Sequence, residues 1–298
     1  MFRSFITLLL LANLTGGVYT SGLNERPIAF DNSELLEVNN IPVKNVEAIQ
    51  PDIEAKSALV MDLDSGVVLY EKNPYARLPM ASLTKIMTAV IIMESHDLDE
   101  VVTIEDNYAS MPESETGVII WLQQNEKITV RDLLTALLVR SAGDAALALA
   151  KYHSGSTEAF VEEMNKRARE MNLTDTNFTN PVGVDKENHY SSSYDLAILT
   201  KRALRFSVFR NIVRMKDAEV SSTNGGITHS FKSTDLLLNS YLDIRGVKTG
   251  TTDEAGESVI NLARNEQGHE IIAVLLNSPD RFQENKSIID WVFRSYKW

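Results

Sequence analysis

The chain has 298 residues, with 41 acidic against 29 basic side chains and a formal net charge of −12. That length can bury a substantial core in one or two domains, and that charge argues against nucleic acid or an anionic membrane surface as partner. No cysteine occurs, so a disulfide framework and a thiolate metal site are ruled out.

Met1-Phe2-Arg3 gives a positive start, and Phe5 to Leu14 is an apolar stretch of about ten residues. This suits the h-region of an export signal and falls short of a spanning helix. Residues 1–21 therefore read as a signal peptide or an uncleaved N-terminal anchor. Residues 22–54 are mildly acidic and broken by Pro27, Pro42 and Pro51, and read as a spacer.

Ser57 to Tyr70 predicts a hairpin, with turn chemistry at Asp62-Leu63-Asp64-Ser65-Gly66. Pro79 then precedes Ser82-Leu83-Thr84-Lys85 and the apolar run Ile86 to Met93. On a helix, Ser82 and Lys85 share one face. Burial there pushes a lysine pKa down, and a neutral amine can take a proton from a serine hydroxyl. Ser82 in the first turn also meets free N–H groups suited to an oxyanion. The S-x-x-K tetrad is unspecific by itself, and its apolar setting gives it weight.

Short strands are predicted near Val101 to Ile104 and Lys127 to Val130. Arg131 to Arg140 and Asp144 to Tyr152 have helical periodicity, with Ser141-Ala142-Gly143 at their junction. Thr157 to Met171 is amphipathic, and Ser193 to Phe206 reads as a serine-capped helix. Ser222-Thr223-Asn224 precedes Gly225-Gly226 and reads as a hairpin turn; Asp235 to Asn239 reads as loop and core. Val247 begins a strand carrying Lys248-Thr249-Gly250, a cation and a hydroxyl able to hold a carboxylate. Ser258 to Ala263 and Glu270 to Asn277 form a further hairpin, and Asp280 to the end reads as a terminal helix. Strands distant in sequence thus make one antiparallel sheet flanked by helices, an α/β (α+β) fold with a mostly helical insert. The five histidines form no H-E-x-x-H, and there is no G-x-S-x-G elbow, so zinc-peptidase and α/β-hydrolase readings are weak.

The stretch Asn73 to Ala89 resembles the nucleophile region of the D-alanyl-D-alanine carboxypeptidases, low-molecular-mass penicillin-binding proteins of peptidase family S11. The resemblance continues in order through Val130 to Leu134, Ser141 to Ala146, Asn180-Pro181-Val182-Gly183, His189-Tyr190-Ser191, Tyr194 to Ala197 and Gly246 to Gly256. It implies the β-lactamase/DD-transpeptidase-like fold, with residues 55–298 as the catalytic domain; several relatives carry an additional C-terminal β domain, and none is expected here after the terminal helix. It implies that Ser82 forms the acyl-enzyme, that Lys85 accepts its proton and that Ser141 relays protons. Lys248 and Thr249, with Gly250 and Thr251 beside them, would bind substrate, and the N–H groups of Ser82 and Thr251 would form the oxyanion hole. His189 reads as structural.

The expected activity is removal of the terminal D-alanine from peptidoglycan stem peptides outside the cytoplasm, with β-lactams as inhibitors and no metal or cofactor. A D,D-endopeptidase acting on cross-links and a catalytically weak penicillin-binding module are the alternatives. The last is motivated by one departure: the family's Ser-x-Asn reads Ser141-Ala142-Gly143 here. The expectation is an active enzyme weakened by the missing carboxamide.

Overall fold

A computed structural model describes residues 41–45 and 48–298. The expected export segment and most of the spacer lie outside the described residues. In chain order the strands are β1 (Val43–Lys44), β2 (Ser57–Asp62) and β3 (Val68–Lys72). Helix α1 (Lys85–Ser95) follows, then β4 (Val101–Thr103), α2 (Glu113–Thr116), β5 (Lys127–Thr129), α3 (Val130–Thr135), α4 (Gly143–Ser154) and α5 (Thr157–Glu170). After α6 (Ser193–Ala203) and α7 (Ser207–Val213) come β6 (Asp217–Ser221) and β7 (Thr228–Lys232). The chain continues through β8 (Asp243–Thr252), β9 (Gly256–Arg264), β10 (Glu270–Ser278), α8 (Arg281–Ser295) and β11 (Tyr296–Lys297).

The central sheet has the order β3-β2-β10-β9-β8 and is antiparallel throughout. Its inner strands β2 and β10 are largely apolar because both faces are covered. Alternation assigns Ala58, Val60, Ile271, Ala273 and Leu275 to one face, against Ile288, Ile289, Trp291 and Val292 of α8. Leu59, Met61, Ile272, Val274 and Leu276 take the other face, with Ile86 and Val90 of α1 and Leu196 of α6. Each such aliphatic side chain stabilises the fold by about 2 kcal/mol. Among the described residues β8 pairs only with β9, which leaves its outer edge for the site.

The early hairpin forms as expected. Asp62 Oδ2 accepts from Ser65 N and Oγ at 2.8 and 2.6 Å, which closes its turn. The glycine-rich segment after Ser222 also turns between β6 and β7.

Three elements differ from expectation. Arg131 to Arg140 is not one regular helix, because α3 gives way to a π turn at Ala136–Arg140; such turns often mark functional sites. The terminal helix stops at Ser295, where Tyr296–Lys297 pairs with Val43–Lys44. The segment expected to be a spacer up to residue 54 is therefore tied down over its last part. Trp291 Nε1 donates to Ala48 O at 3.2 Å, and Ile53 is buried. Backbone pairing and apolar burial outweigh the proline-rich composition there. Among the described residues, no helix is long and apolar enough to cross a membrane.

Candidate active site

Ser82 lies in a 3-10 turn, Ala81–Thr84, that runs straight into α1. No side chain caps this turn, and Ser82 N–H has no partner among the described residues. It is a free donor at a helix start. Ala81 has φ +49°, an uncommon conformation for a residue with a side chain. A relay of hydrogen bonds holds it. Thr84 Oγ1 donates to Ala81 O at 2.7 Å, and His189 Nε2 lies 2.7 Å from the same hydroxyl. Thr179 N–H donates to His189 Nδ1 at 3.0 Å, which makes Nδ1 the acceptor and Nε2 the protonated nitrogen. Burial pushes the His189 pKa down to about 4, so the neutral ring is the stable one. His189 thus braces the turn that carries the nucleophile.

Lys85 Nζ sits 3.1 Å from Ser82 Oγ, as the spacing predicts. It is almost wholly buried and also donates to Val182 O. Burial lowers its pKa to about 7, against the opposing pull of the Asp144 charge. The Val182 carbonyl is set by Asn180, whose Oδ1 accepts from Val182 N and Gly183 N at 3.1 and 2.6 Å.

Ser141 follows the π turn in the left-handed region, with φ +68°, and is buried. Its hydroxyl has no hydrogen-bond partner among the described residues. Asp144, in the first turn of α4, accepts from Ile120 N, Leu122 N and Ala145 N at 3.1, 3.1 and 3.0 Å.

Gly143 sits where no side chain fits. A Cβ there would lie 1.6 Å from Thr116 O, and Gly143 N–H donates to Val118 O at 2.6 Å. The site does not simply lack a carboxamide. Main chain occupies the space in which any side chain would begin.

β8 brings the third motif against the nucleophile. A methyl group on Gly250 would lie 2.9 Å from Ala81 Cβ and 3.0 Å from Ser82 N, so only glycine lets the strand approach this closely. Lys248 is buried and donates to Thr249 O at 2.9 Å. Its pKa falls well below the usual lysine value, first through burial and then through the charges of Lys85 and Arg281. Thr249 Oγ1 donates to Thr234 Oγ1 at 2.6 Å.

Two groups here escaped the sequence reading. Arg281, in the first turn of α8, donates to Gly250 O at 2.9 Å and to the Thr251 hydroxyl. Asp235, expected as loop and core, is a buried carboxyl that accepts from Asn261 Nδ2 at 2.6 Å and Leu237 N at 2.9 Å. Burial raises its pKa to about 6, against those bonds and the Lys248 and Arg281 charges. A lone arginine and a lone aspartate carry no local signal, and the sheet fold alone brings them to β8.

The sequence profile of the D-alanyl-D-alanine carboxypeptidase family, peptidase S11, matches residues 44–280. The Bacillus subtilis D-alanyl-D-alanine carboxypeptidase DacF is 35% identical over 252 residues, 82% of this chain and 63% of that protein. A Pseudomonas aeruginosa D-alanyl-D-alanine endopeptidase is 32% identical over 221 residues, 74% of this chain and 70% of that protein. The crystal structure of the Streptomyces K15 DD-transpeptidase superimposes with a TM-score of 0.78 at 32% identity, covering 83% of this chain and all of the other. The chain spans a little under two thirds of the length of several curated relatives, at 63 to 64%.

Two outcomes follow from the site geometry. Gly143→Asn lowers the melting temperature, with the cost of about 1–3 kcal/mol usual for overpacking, and slows Ser82 acylation. A faster variant with unchanged melting contradicts the seating of Thr116. Acylation of Ser82 by a fluorescent penicillin rises with pH through about 7, as Lys85 loses its proton. A rate that falls between about pH 6 and about pH 8 contradicts a neutral-amine base.

Proposed function

The chain belongs to the D-alanyl-D-alanine carboxypeptidase family, peptidase S11, and from that premise we propose that it removes the terminal D-alanine from peptidoglycan stem peptides through an ester on Ser82. The observation that carries this reading is the buried Lys85 amine 3.1 Å from the Ser82 hydroxyl. Neutral Lys85 takes the proton from Ser82 Oγ, and Oγ attacks the carbonyl of the penultimate D-alanine. A positioned base of this kind contributes about 10²–10⁴ in rate.

The tetrahedral oxygen faces the N–H groups of Ser82 and Thr251. A fixed donor of this kind contributes about 3 kcal/mol. Collapse breaks the peptide bond, and the leaving amine of D-alanine receives the proton through Lys85 and Ser141. Water then attacks the ester by the reverse path and restores Ser82. The terminal carboxylate is held at Thr249 and Thr251 by Arg281, with the buried Lys248 amine bracing the strand through its bond to Thr249 O. β-Lactams would acylate the same serine.

The substrate lies in the cell wall, so the enzyme works outside the cytoplasm. Residues 1–21 would provide the export signal or membrane tether. An endopeptidase acting on cross-links would use the same steps. The relative named an endopeptidase supports keeping that reading.

A peptide ending in D-alanyl-D-alanine should release free D-alanine with the parent protein and none with Ser82→Ala. Equal release by both variants would refute the assignment. Arg281→Ala should raise KM about tenfold for peptides with a free terminal carboxylate, the usual order for one charge-assisted hydrogen bond. An equal loss on C-terminally amidated peptides would remove Arg281 from that role.

A further inference from the structure

The segment Ile120-Trp121-Leu122 is fastened to the start of α4 by one carboxylate. The buried Asp144 accepts from Ile120 N and from Leu122 N, each at 3.1 Å. Ile120 and Leu122 are themselves buried. Trp121, between them, has φ +67° and is 65% exposed. That backbone conformation is an outlier for a bulky residue. It persists only where the surroundings over-determine it, and such residues gather at ligand clamps and active sites. Asp144 supplies the clamp here by holding the N–H on either side of the indole.

A cavity of about 330 Å³ lies between this segment and β7, a size within the range of small-ligand sites. Trp121 lines it together with Arg140 and His229. Arg140 ends the π turn and directly precedes Ser141. It is exposed, and its guanidinium has no hydrogen-bond or ionic partner among the described residues. The His229 side chain is only 8% exposed, and its Nε2 lies 2.9 Å from the wholly buried carboxylate of Glu126. Glu126 also accepts from Gln123 N at 3.0 Å, which fixes it. A carboxylate accepts, so His229 Nε2 carries the proton and Nδ1 keeps its lone pair. His229 Nδ1 has no partner among the described residues. The cavity thus combines an aromatic face, a cationic fork and an anchored imidazole acceptor.

A pyranose ring meets all three. Its C–H face packs on the indole, and its rim carries both donors and acceptors for the other two. We propose that the Trp121–Arg140–His229 cavity is a saccharide subsite that holds an N-acetylated hexose of the wall glycan. Arg140 donates to the acetamido oxygen, and His229 Nδ1 accepts from a ring hydroxyl. The choice of wall glycan rests on the D-alanyl-D-alanine peptidase reading above. The site and the peptidase centre share the π turn that ends at Arg140.

The test measures binding of chitotetraose, a tetramer of N-acetylglucosamine, by saturation-transfer NMR. Maltotetraose serves as the sugar without acetamido groups. The parent should bind chitotetraose more tightly than maltotetraose. Trp121→Ala and Arg140→Ala should each weaken chitotetraose binding about tenfold, the order expected for one stacking contact or one charge-assisted hydrogen bond. Trp121→Ala should still release D-alanine from a sugar-free stem peptide at the parent rate, which a variant that fails to fold would not do. No transfer to chitotetraose in the parent, equal affinity for the two sugars, or affinity untouched by either substitution overturns the proposal. Absence of D-alanine release by the parent would instead refute the peptidase reading, on which the choice of wall glycan rests.

Discussion

Burial of one amine beside one hydroxyl sets the terms for the whole site. In water Lys85 would be charged at neutral pH and useless as a base. Inside the protein the cost of desolvation brings its pKa to about 7, and Ser82 Oγ is held within reach. The Val182 carbonyl satisfies the amine without neutralising a positive charge, and Asp144, the acid whose charge acts on it, spends its oxygens on backbone N–H groups. A freer carboxylate would hold Lys85 in its charged form.

The scaffold serves that setting from several directions. The 3-10 turn that carries Ser82 runs straight into α1, whose first residue is the buried Lys85, on the covered face of the sheet. β8, an edge strand, is pressed against the nucleophile by the absence of a side chain at Gly250. The backbone at Ala81 is held in an uncommon conformation by the Thr84–His189–Thr179 relay. Strain of this kind costs about 1–3 kcal/mol and persists only where the surroundings over-determine it. Lys248, Arg281 and Asp235 then balance charge under the third motif, where like-charged neighbours and burial both act on Lys248.

Local spacing explains what was legible from sequence. Ser82 and Lys85 are one helical turn apart, Lys248 to Thr251 are consecutive, and the strands of the sheet announce themselves as apolar runs between turns. The Ser141 junction was visible as a break in helical period, but the π turn before it was not, because its residues suit a regular helix equally well. Arg281 and Asp235 act through partners that are neighbours only after β8, β9 and α8 assemble. The meaning of Gly143 was hidden for the same reason. A glycine in place of a carboxamide reads as a loss until the Thr116 carbonyl is seen in the vacated space. The docking of Val43–Lys44 on Tyr296–Lys297 joins residues about 250 apart in sequence, and neither strand has enough residues for a periodic signal.

The most direct measurement is the titration of Lys85 by NMR, with carbon-13 at Cε and Lys85→Met to assign the signal. The account predicts a transition near pH 7. A lysine that stays charged until about pH 10.4, the ordinary value, would contradict it, and Ser82 would then lack its base.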